Sequence, residues 1–128
     1  MSQGGLSTGA LLLAAGVMLG GCVEHPDGRL QLRWRFADGR DCSASGVGSV
    51  GVEVRQGARV VFADAYGCLD GAQGVVEVGE FSGKRVALQL QAFSFEGALL
   101  YAQEQEVVLV PGERVMVEIT LISAGLGR

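Results

Sequence analysis

Leu30-Gln31-Leu32-Arg33-Trp34-Arg35-Phe36 alternates apolar and polar side chains without a break. A strand turns successive side chains to opposite faces, so Leu30, Leu32, Trp34 and Phe36 share one face, while Gln31, Arg33 and Arg35 share the other. The same period recurs at Val50, Val52 and Val54, at Val86, Leu88, Leu90 and Ala92, and at Val115, Val117, Ile119 and Leu121. Weaker runs at 59–65, 74–78, 99–103 and 106–110 bring the expectation to about seven or eight strands. One apolar and one mostly polar face per strand predicts antiparallel pairing over a shared core.

Turn chemistry falls between these runs. Gln56-Gly57 and Glu96-Gly97 suit hairpins, because glycine supplies a positive φ, and Pro111-Gly112 suits the middle of a type II turn. No helical stripe emerges outside the first residues. The expected fold is therefore all-β, an antiparallel β-sandwich. After Ala92 the apolar positions move to Phe93 and Phe95, which changes parity within one strand. Either a one-residue bulge restores the pattern, or these rings lie on an exposed face as part of a binding surface.

The chain has 128 residues, 48% of them hydrophobic and 19% charged, with a formal charge of −4. That length fits one domain, and that hydrophobicity excludes a disordered chain. The mild acidity offers no basic field for a phosphate backbone, so nucleic acid is not an expected partner. All 24 charged residues lie after Cys22, and Leu6 to Leu19 is an apolar stretch. Its length matches a signal-peptide core of roughly 7–15 residues and falls short of the about 20 that span a bilayer.

The stretch ends in Leu19-Gly20-Gly21-Cys22, which resembles the lipobox of bacterial lipoproteins. The resemblance implies cleavage of the Gly21–Cys22 bond and a diacylglyceryl group on the Cys22 thiol. Residues 1–21 are then a helical signal peptide, 22–29 the lipidated cysteine and its tether, and 30–128 the β-sandwich domain. Several acyl chains hold a protein stably on a membrane, where one would be marginal. In such lipoproteins an Asp after the lipidated Cys commonly retains the protein at the inner membrane. Val23 stands there instead, so the resemblance points to the outer membrane.

Three cysteines is an odd count. With Cys22 given to lipid, Cys42 and Cys68 remain as a pair expected to form a disulfide in an oxidising envelope. Around them, Trp34-x-Phe36, Asp38-Gly39-x-Asp41-Cys42, Gly46-Val47 and Tyr66-x-Cys68 resemble disulfide-pinned domains of bacterial surface lipoproteins of unassigned function. The closing strands and the Glu96-Gly97 and Pro111-Gly112 turns are similar to prealbumin-like, carboxypeptidase-regulatory-like sandwiches. Tyr66, two residues before Cys68, resembles an immunoglobulin tyrosine corner, although Trp34 precedes Cys42 instead of lying between the cysteines. An Ig-like or prealbumin-like sandwich is the resulting expectation.

Catalytic constellations are absent from the sequence. His25, the one histidine, sits in the tether, where triad geometry is hard to hold. Glu53, Glu77 and Glu118 alternate with apolar residues and read as solvated strand faces, which leaves an acid-pair hydrolase as a remote alternative. Asp38, Asp41, Asp64 and Asp70 flank the cysteines and invite a calcium reading, but turn-forming aspartates explain them more simply. No metal or other cofactor is expected. The Arg29, Arg33 and Arg35 stripe reads as a solvated face. The functional expectation is a non-enzymatic envelope lipoprotein serving binding, adhesion or assembly, with an envelope protein or glycan as partner. For glycan, the candidate ligand surface is Phe93, Phe95 and Tyr101, with core packing the favoured alternative for all three rings.

Overall fold

The computed structural model describes residues 27–124; the signal peptide over 1–21, Cys22 and His25 lie outside them. Seven strands and two single-turn helices follow in chain order: β1 (Gly28–Phe36), α1 (Cys42–Ser45), β2 (Val47–Gln56), β3 (Arg59–Gly67), α2 (Cys68–Ala72), β4 (Val76–Phe81), β5 (Arg85–Ser94), β6 (Leu99–Val108) and β7 (Arg114–Ser123). They form one mixed, curled sheet in the order β3-β2-β5-β6-β7-β1-β4.

The β class and the four strongly alternating runs agree with the sequence, and three details differ. Residues 99–103 and 106–110 do not make two strands, since β6 runs straight through Leu99–Val108. Pairing is not wholly antiparallel either: β1 and β7 run parallel from Arg29↔Arg114 to Phe36↔Leu121. The first strand also begins before Leu30, because Gly28 already pairs with Phe81. A side chain at Gly28 would stand 3.1 Å from Leu109 Cβ, so glycine lets the chain enter the sheet against that wall.

Strands β6 and β7 meet only at Tyr101↔Ser123 and Ala102↔Ile122. Beyond that short seam the sheet curls, and apolar faces from both of its parts share one core. Leu30, Leu32 and Trp34 of β1 and Ile119 and Leu121 of β7 are buried with Val50, Val52 and Val54 of β2 and Leu88 and Leu90 of β5. Each such side chain contributes roughly 1.5–3 kcal/mol relative to exposure.

This arrangement gathers different segments at its two ends. At the entry end, Gly28 meets Phe81, the Gly112 N–H donates to Asp27 O at 3.1 Å, and the Leu109 N–H donates to Lys84 O at 2.7 Å. At the other end lie α1, α2 and the Ser94–Leu99 turn. Nine residues of β1 separate the two, about 27 Å of extended chain.

The edge strand β3 is a poor template for further pairing. A bulge leaves Val61 without a partner, and Asp64 opposes Val52, on the side that β2 turns toward the core. Both features are ways a sheet edge resists adding another strand.

A cleft beside the disulfide

Cys42 and Cys68 each open a single-turn helix, and the expected disulfide joins them with Cα atoms 6.0 Å apart. Asp41 caps α1, its Oδ1 accepting from the Ala44 N–H at 2.7 Å. The helix stops at Gly46, whose φ of 76° suits glycine. In α2, the Asp70 carboxylate reaches back to accept from the Gly67 N–H at 3.0 Å. One turn is too short for a helical stripe, which is why neither helix shows in the hydrophobic pattern.

Trp34 fixes α2 against the core. Its Nε1–H donates to Cys68 O at 2.9 Å, and the backbone of Gly71 lies against the indole. A Cβ at position 71 would fall 2.5 Å from the ring, closer than carbon atoms approach. Tyr66 is half-buried beside Trp34, with centroids 6.4 Å apart, and this burial, followed by the Asp64 charge, raises its phenol pKa.

Between the two helices, the start of β2 and the Ser94–Leu99 turn opens a cleft of about 540 Å³. Val47, Leu69, Phe95 and the disulfide make its apolar walls, and Ser43 and Asp70 are its polar side chains. Phe95 is 85% exposed and Leu69 55% exposed, the two most conspicuous apolar groups at this end. Phe95 rests on Gly48, where an added Cβ would meet the ring at 2.8 Å.

The three candidate rings do not share a face. Phe93 is half-buried on the outer side, over Gly51, and Phe95 projects at the cleft. Tyr101 leaves the set: it is 5% exposed, stacks at 4.7 Å on Phe36, and donates its hydroxyl to Asp38 Oδ2 at 2.8 Å. The cause is the register. Strand β5 keeps its own alternation, and the irregularities fall in its neighbours, with Leu100 extra in β6 and Gly48 extra in β2. That places Tyr101 opposite the buried Ala92. Of the two alternatives for Phe93 and Phe95, outward-facing rings is therefore the one the backbone adopts.

The Tyr101 hydroxyl, and then the Arg40 backbone N–H, hold the Asp38 carboxyl below its ordinary pKa. Burial, and then Asp38, push the Tyr101 phenol up. The other aspartates act locally: Asp41 and Asp70 cap helices, and Asp64 accepts from the Ala65 N–H. Among the described residues no group of three or more His, Cys, Asp or Glu is gathered to hold a metal ion. Arg29 pairs with Glu80 at 3.3 Å and Arg35 donates to Thr120 Oγ1, both on the exposed face, whereas Arg33 between them is half-buried and its Nε is buried without a hydrogen-bond partner, which departs from a fully solvated stripe.

Leu69 and Ser43 are cleft residues that the sequence did not single out, and Asp70 stood out there only as one of the aspartates flanking the cysteines. Leu69 had one signal, an apolar side chain directly after Cys68 in a segment without strand alternation. No protein-family model, curated protein or solved structure matches the chain.

Proposed function

We propose that this protein is a non-enzymatic, lipid-anchored component of the bacterial outer membrane, carrying a prealbumin-like, Ig-like β-sandwich that serves binding, adhesion or assembly. The lipobox-like Leu19-Gly20-Gly21-Cys22 supports the anchor. The short β6–β7 seam supports the sandwich reading, since a fold of the curled sheet at that seam would set β3-β2-β5-β6 over β7-β1-β4.

The observation that carries the binding role is polarity along the domain. A chain anchored at Cys22 enters the domain at Gly28, so the entry end lies next to the membrane. The cleft, with Phe95 85% exposed, lies at the opposite end of the domain, which on this reading is the end turned away from the membrane. Exposed apolar groups of this kind mark interaction sites more often than isolated surface residues do.

A second reading, a glycan-binding module, draws on Phe93 and Phe95. Phe93 approaches Gly51 and Phe95 approaches Gly48 of β2, and Phe95, 85% exposed, is the ring most open to stacking.

Replacing Cys22 by Ser tests the anchor. The wild-type chain is expected to sediment with membranes and carry acyl mass, and C22S to lose both. If C22S still partitions with membranes and wild type shows no added mass, the lipoprotein reading fails.

A further inference from the structure

The cleft's own chemistry selects between partner classes. Its walls are the disulfide, Val47, Leu69 and Phe95, with Ser43 and Asp70 as the polar side chains. A sugar entering it would bury several hydroxyls without partners, an unfavourable exchange. An aliphatic or aromatic side chain would bury none. Its volume of about 540 Å³ is within the range of sites that take a small ligand or a few side chains.

Charge narrows the choice further. Asp70 lines the cleft, Glu96 follows Phe95 directly, and Asp41 caps the adjacent helix. Of the nearby cations, Arg40 stands 3.9 Å from Asp38 and is offset by it, while Arg35 donates to the neutral Thr120 hydroxyl and keeps its charge, one cation against the three carboxylates. The rim is thus net anionic around an apolar floor, complementary to apolar residues flanked by Lys or Arg.

We infer that the disulfide cleft receives one or two large apolar side chains from a protein partner's segment, with flanking Lys or Arg meeting Asp70 and Glu96. This rests on the binding-module reading and specifies its partner as protein. Phe95 and Leu69 supply the apolar contact, and Gly48 is small so that the Phe95 ring can lie flat at the rim. Edge pairing through β3 is not the route, given its bulge and the placement of Asp64.

The test uses the mature lipidated protein, held by its own anchor in phosphatidylcholine vesicles, with empty vesicles subtracted. Four dye-labelled probes are titrated by sedimentation: the tetrapeptides Lys-Leu-Phe-Lys, Glu-Leu-Phe-Glu and Lys-Ala-Ala-Lys, and chitotriose. The basic apolar peptide is expected to bind about tenfold more tightly than either other peptide. Phe95→Ala and Leu69→Ala should each weaken it by about fivefold or more, and Phe93→Ala by less than about twofold. Phe95 and Leu69 are exposed, so these variants keep the core intact.

Equal binding of the acidic and basic peptides overturns the charge assignment. Peptide binding indifferent to both cleft variants, or no peptide binding, overturns the site. Chitotriose binding that F95A abolishes, with no peptide bound, replaces the protein partner by glycan. Failure of the lipid reading is seen separately, as protein that does not enter vesicles.

Discussion

Replacing Gly71 by Ala adds one methyl group where a side chain would meet its neighbour more closely than at the other glycines described. The new Cβ falls 2.5 Å from Trp34 Cζ3 and 2.6 Å from Cδ2 and Cε3, more than an ångström inside normal carbon contact. Neither partner yields easily. Trp34 is 1% exposed within the core, and Gly71 is buried within a helix whose first residue is bonded covalently to Cys42. The helix must lift, which strains the 2.9 Å bond from Trp34 Nε1 to Cys68 O. Overpacking costs typically 1–3 kcal/mol, and loss of a buried hydrogen bond about 1 kcal/mol more. Together they predict a loss of about 2–4 kcal/mol. Urea unfolding with the disulfide intact measures it, with Trp34 emission reporting on the site. Gly51→Ala is the control, because its Cβ would meet Phe93 at an ordinary 3.6 Å. A G71A protein within about 0.5 kcal/mol of wild type, with unchanged emission, would refute this packing.

Removing the disulfide by Cys42→Ala with Cys68→Ala frees a sequence separation of 26 residues, and the chain-entropy model predicts a loss of about 3.5 kcal/mol, measured by denaturant melts. Gly48→Ala should leave stability within about 1 kcal/mol, because the exposed Phe95 ring can move aside, yet weaken Lys-Leu-Phe-Lys binding by relocating that ring. Tyr101→Phe deletes the bond that lowers the Asp38 pKa. A depressed carboxyl stabilises the fold above the ordinary carboxylate pKa of about 4 and loses that contribution as pH falls through the lowered value. The gap in melting temperature between wild type and Y101F should therefore be larger at pH 7 than at pH 2, and a gap that widens in acid would contradict the assignment.

The core of this fold was legible because its strands bury one face each. Leu30, Leu32, Trp34 and Phe36 are all buried, as their period of two requires, and so are Val86, Leu88, Leu90 and Ala92. The parallel β1–β7 pair was not legible, since alternation reports which face is buried and nothing about the direction of a neighbour. Tyr101 shows the same limit. Its place on the buried face depends on the extra residue Leu100 and on a distant Asp38, neither of which leaves a periodic trace. The disulfide followed from counting, whereas the cleft it supports did not. That cleft depends on two single helical turns and a turn residue brought together from sequence-distant segments, and only Phe93 and Phe95 hinted at it through their change of parity.

The claim that the cleft is held outward by an anchor at the other end is tested most directly by two distances. A donor dye placed at Lys84 or at Glu96, flanking the ten residues of β5, measures energy transfer to an acceptor lipid in vesicles bearing the lipidated protein. The two positions are separated by about 30 Å of extended chain. Strong transfer from position 84 and weak transfer from position 96 is the predicted result. Equal transfer, or the reverse order, would contradict an outward-facing cleft.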